Sequence, residues 1–188
     1  MHMHSTYGKL GALLFAGSFA CSASITATAQ AVHQLFGRAA TASKIAAVNI
    51  DVIPDGAGLP EGSGTVSQGQ VIYESKCAAY HGATGVEGPR DRLVGGQGTL
   101  ATMRPIKTIG SYRQYALTIY DYINCAMPFT APGILQPDEV YSIVAYLLNR
   151  NRVIAAAEVM DQKTLPLVNM PNRDGFVVES AFRNLRRK

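Results

Sequence analysis

Beyond its first twenty or so residues the sequence contains no run of about 18 uncharged apolar residues, which excludes an interior membrane span. It also has no basic stripe. The formal charge is only +4, and much of the excess sits in Arg183, Arg186, Arg187 and Lys188, so the chain lacks a nucleic-acid-binding face. Aromatics are sparse at 8%, but 47% of the 188 residues are apolar, which excludes wholesale disorder. The length suits one domain with tails.

Residues 1–31 have no Asp or Glu. Lys9 precedes an apolar stretch from Leu10 to Ala20, and two Ala-x-Ala sites follow at 27–29 and 29–31. This is the order of a secretory signal peptide, with cleavage near 29–31 and export to an oxidising compartment, the periplasm. Cysteine is scarce as well. Cys21 leaves with the signal, so the mature chain keeps Cys77 and Cys125. In an exported protein two thiols form a disulfide or carry a cofactor.

Breakers dominate the stretch to residue 64, with Pro54, Gly56, Gly58, Pro60, Gly62 and Gly64, so 32–64 reads as an extended arm. Ser67 and Gln70 have capping-box spacing for a helix running to about Tyr80. Ser111 and Gln114 repeat that spacing ahead of a second helix carrying Tyr112, Ala116, Ile119 and Ile123 on one face. For the third helix, Pro137 suits the first position and Asp138 and Glu139 suit its positive end. Its apolar stripe is Val140, Ile143, Val144, Leu147 and Leu148. The expected core is residues 65–152, followed by a tail at 153–188 that docks on a partner. Three short helices bury little surface, so a large flat apolar cofactor between them would carry much of the stability.

Cys77-Ala78-Ala79-Tyr80-His81 ends the first helix. C-x-x-C-H is the attachment sequence of c-type haem, with two thiols bonded to the ring and His on the iron; here Tyr80 replaces the second Cys. Downstream, Met127 precedes Pro128 on a loop, and its thioether is a candidate second iron ligand. Read as metal donors alone, Cys77, His81, Cys125 and Met127 are also soft ligands suited to copper.

Together with Phe36-Gly37-Arg38, Thr108 to Tyr112, Ala126 to Pro132, Pro137 to Tyr141 and Met170 to Phe176, these motifs give an ordered set over roughly residues 36–178. The set resembles the class I c-type cytochromes. Within them it is similar to the SoxD-like cytochrome subunit of periplasmic sulfite or sulfur dehydrogenases. The resemblance implies an all-α class I cytochrome c fold, three main helices around a haem, with extended N- and C-terminal arms. It implies an electron carrier, not an enzyme in itself, that accepts electrons from a molybdenum-containing subunit and passes them to an acceptor cytochrome. The implied cofactor is haem c, held by a single thioether through Cys77 or non-covalently, with His81 and Met127 on the iron. Tyr80, a departure from the family pattern, would either rest against the ring edge and offer its hydroxyl or block the vinyl side. Tyr112 would reach a propionate, and the Pro89 carbonyl would accept the other imidazole NH. In similar proteins an Arg pair stands where this chain has Asn124 and Cys125, and Trp where it has Arg113. Two further readings are a haem-deficient paralogue acting as a binding subunit, clasping a partner through Tyr141, Tyr146 and the 170–176 segment, and the copper-binding protein.

Overall fold

The computed structural model describes residues 37–177. The expected signal peptide, the first residues of the arm and the terminal basic cluster lie outside the described residues.

The chain forms two units, residues 1–49 and 50–188. The described part of the first holds one short helix, α1 (Ala42–Val48), whose N-cap Thr41 accepts from the Lys44 backbone NH. None of its residues is buried.

In the second unit a three-residue strand, β1 (Ser63–Thr65), runs straight into α2 (Val66–Lys76). The cap is a capping box two residues earlier than the expected one. Thr65 accepts from the Gln68 backbone NH at 3.3 Å, and Gln68 accepts from the Thr65 NH at 3.0 Å. Gln70 instead donates to Glu74 one turn along the exposed face. The helix breaks at Cys77, and a single turn, α3 (Ala78–His81), carries the chain on to Gly82. Gly82 has a φ of 81°, a left-handed conformation that glycine adopts freely, so the chain reverses directly after His81.

The second expected cap is absent. Ser111 is turned into a local knot: its NH donates to Thr108 Oγ1 and its hydroxyl to the Ile106 carbonyl. The next helix, α4 (Leu117–Ala126), therefore starts six residues later than Ser111. The third, α5 (Pro137–Arg150), matches its expectation, with Pro137 at the start and Glu139 accepting from the Gln136 NH. All residues from Val140 to Leu148 are buried, so α5 is enclosed on every side and forms the axis of the unit.

The closest approach is between α2 and α5. A methyl group on Gly69 would lie 1.8 Å from the Ser142 carbonyl oxygen. Tyr73 then packs its ring 5.1 Å from that of Tyr146. β1 pairs antiparallel with β2 (Val159–Asp161), Gly64 opposite Met160. Met160, Leu165 and Met170 are all buried, so the chain after α5 completes the core. The result is a mostly helical unit with one small hairpin. Among the described residues no helix is long and apolar enough to cross a membrane.

Two partner-clasping side chains expected from the sequence do not serve that purpose. Tyr141 is fully buried and donates to the Pro60 carbonyl, and Tyr146 is 7% exposed. The 170–176 segment is turned inward too. Asn172 donates to the Tyr112 carbonyl, Gln114 donates to the Arg173 carbonyl, and Phe176 meets the Tyr112 ring edge-on at 5.2 Å.

Candidate functional site

A cleft of about 660 Å3 opens among α2, α3, α4, α5 and the loops between them. That volume is in the range of small-molecule and cofactor sites. Its floor is apolar, with Ile109, Ile119, Ile123, Leu135, Ile143 and Leu147. Cys77, Tyr80, His81, Tyr112 and Met127 all face it. Five of the six site residues named from the sequence therefore meet in one cavity, although the chain separates them by up to 50 positions.

His81 is set by the reversal at Gly82. The following loop doubles back, the Arg90 NH donating to the Tyr80 carbonyl at 2.9 Å. Gly88 packs so tightly here that a methyl group on it would fall 2.3 Å from the Tyr80 oxygen. This fold brings the Asp91 carbonyl 2.9 Å from His81 Nδ1. A carbonyl only accepts, so Nδ1 carries the proton and Nε2 keeps its lone pair for a ligand. The acceptor expected at Pro89 is thus supplied two residues later. Pro89 is exposed and does not line the cleft.

Cys77 is half-buried at the break between α2 and α3, and burial pushes its thiol up to about 11. The sulfur is therefore a neutral thiol at neutral pH. Met127 closes α4, its NH donating to the Ile123 carbonyl, and the Met127–Pro128 peptide is cis. Tyr73, which the sequence reading passed over, also lines the cleft and donates to the Gly82 carbonyl at 2.9 Å, pinning the turn behind His81.

Cys125 is placed elsewhere. It does not line the cleft; its thiol contacts Asp121 Oδ1 at 3.7 Å, and burial and the Asp121 charge push it up. Cys77 and Cys125 are both free, so of the two uses open to a pair of exported thiols the disulfide is not formed. The copper set is not assembled either, because Cys125 is missing from the cavity that holds the other three. Among the described residues no three His, Cys, Asp or Glu side chains form a metal-binding group.

No family model and no curated protein sequence matches the chain. Among solved structures it is similar to the sulfane dehydrogenase SoxCD from Paracoccus pantotrophus, with 36% sequence identity and a TM-score of 0.72. The match covers 81% of this chain and 77% of that one. The chain belongs to the SoxCD sulfane dehydrogenase family. The motif set over residues 36–178 makes it a SoxD-like member. In this SoxD-like chain the cleft gathers the Cys77 thiol, the His81 imidazole and the Met127 thioether. It leaves out Asn124 and Cys125.

Proposed function

We propose that this chain is a periplasmic haem-bearing electron-transfer subunit, SoxD-like, that works beside a molybdenum-containing sulfur-oxidising subunit and hands electrons to an acceptor cytochrome. The observation that carries the reading is the meeting of Cys77, His81 and Met127 in one apolar cleft, with His81 Nδ1 already committed to the Asp91 carbonyl. The residues present fit the group: an apolar floor for the porphyrin, an imidazole nitrogen and a thioether for iron, and a neutral thiol for one covalent bond to the ring.

When bound, haem supplies a one-electron ferric/ferrous couple, and His/Met ligation favours a raised potential. The chain's own residues do the rest. His81 presents Nε2, and the Asp91 carbonyl fixes its tautomer and ring plane. Met127 offers a soft, uncharged sulfur from the end of α4. Cys77 tethers the ring, with Tyr80 beside it in place of a second tether. The apolar floor keeps water from the centre. The oxidation of the sulfur substrate then belongs to the partner subunit, as the SoxCD likeness supports. Export to the periplasm rests on the Ala-x-Ala pattern of residues 1–31 and is the compartment in which such a tether is made.

The test is an absorption spectrum of the chain purified from the periplasm of a host able to attach c-type haem, recorded oxidised and then reduced. The reading expects a low-spin haem that is reduced and reoxidised reversibly. A colourless, fully folded product contradicts it.

A further inference from the structure

Residues 37–177 are neutral overall, with twelve Lys and Arg against twelve Asp and Glu. The cleft is not. Lys76, Arg90, Arg92, Lys107 and Arg113 line it, against Asp91 as its one acidic residue. Only Lys76 of these five is in an ion pair among the described residues, with Glu139 at 2.8 Å. Four cations without an ion pair among the described residues thus gather around one apolar cavity, in a body whose formal charges sum to zero.

Two of the four are held in place by aromatic rings that themselves line the cleft. Lys107 Nζ lies 5.0 Å from the centre of the Tyr112 ring, and the Arg113 guanidinium 5.8 Å from that of Tyr122. Stacking of this kind holds a long side chain in one region without consuming its hydrogen-bond donors. The Tyr112 ring is in turn braced from behind by Phe176. Beside an apolar wall an anion is screened less than in open water, so a cation at that boundary discriminates charge strongly.

We infer that Lys107 and Arg113 grip the carboxylate end of a ligand whose apolar body fills the cleft, so that the site selects an apolar dicarboxylate over its uncharged ester. The inference rests on the haem reading, in which the two propionates are those carboxylates.

The test uses the full chain purified without haem, titrated with metal-free mesoporphyrin and with its dimethyl ester, followed by porphyrin fluorescence. The diacid is expected to bind about tenfold tighter than the ester at low salt. Raising the salt should shrink that margin. The double variant Lys107→Gln/Arg113→Gln should lose most of the margin while keeping its ester affinity. Arg152→Gln/Lys163→Gln removes the same charge from exposed positions outside the cleft and should keep the margin. Equal binding of diacid and ester by the unmodified chain overturns the inference and leaves the haem reading standing. A margin that survives Lys107→Gln/Arg113→Gln, or falls equally in both double variants, overturns it as well. Failure to bind either porphyrin overturns the inference and the haem reading together.

Discussion

His81 Nδ1 lies 2.9 Å from the main-chain oxygen of Asp91, ten residues ahead, and this contact decides which imidazole nitrogen is free. With Nδ1 protonated, Nε2 keeps its lone pair for a ligand, on a side chain that lines the cleft. Replacing His81 by Gly should leave the fold intact, since the side chain is only half-buried at the end of a single helical turn. In a haem-loaded preparation the variant should lose its low-spin spectrum and regain it on addition of free imidazole. An unchanged spectrum in His81→Gly would remove His81 from the site.

The crossing of α2 and α5 sets the spacing of the cleft walls. A Cβ at Gly69 would stand 1.8 Å from the Ser142 carbonyl oxygen, an approach only glycine permits. Gly69→Ala must push the helices apart, at a cost of about 3 kcal/mol. Gly95→Ala is the comparison: nothing lies within 4 Å of its added methyl, and its φ of 95° leaves only backbone strain of about 1 kcal/mol. Urea unfolding of both variants checks the order. Equal losses would show that the helix contact is not what Gly69 serves.

Lys76 and Glu139 tie the end of α2 to the start of α5 at 2.8 Å. The Lys76 ammonium, helped by the Gln136 NH, holds the Glu139 carboxyl below the usual carboxylate range. A depressed folded value means the pair stabilises the fold above the unfolded value, roughly 4.3, and that this contribution fades as pH falls through the lower, folded value. Both side chains are about one-third exposed, so the contribution at pH 7 is about 1 kcal/mol at most. Glu139→Gln should therefore be less stable than the parent at pH 7, with the gap narrowing as pH falls below roughly 4.3 and closing below the folded value. A gap that does not narrow as pH falls would assign the loss to packing or capping instead.

The parts of this fold that show in the sequence are those whose signals are local. Pro137, the acidic pair after it and the spacing from Val140 to Leu148 specify α5, and the helix is found there. The start of α2 is less legible because two hydroxyl–glutamine pairs overlap, Thr65 with Gln68 and Ser67 with Gln70. What selects the first is remote: β1 pairs with β2 through Thr65 and Val159, so the strand ends and the helix begins at that residue. Ser111 misleads for a similar reason, since its hydroxyl oxygen already accepts from the Thr108 NH.

In the site, Cys77, His81 and Met127 are legible because their side-chain types are rare and chemically specific. The acceptor for His81 is not, because any residue supplies a carbonyl and only the loop path chooses Asp91 over Pro89. The cationic rim is scattered from Lys76 to Arg113 and acquires meaning only when the loops converge. Nothing in the order of residues announces it.

In the proposed function Cys77 carries one covalent bond to a haem lodged against His81 and Met127. The most direct measurement is the intact mass of the denatured chain after expression with c-type haem attachment, alongside a count of its free thiols. The account predicts a mass raised by one haem and, in the chain processed at residues 29–31, one remaining thiol, that of Cys125. It predicts that Cys77→Ser removes the added mass. An unmodified mass with two free thiols, from a folded chain that also shows no haem spectrum before denaturation, would contradict it.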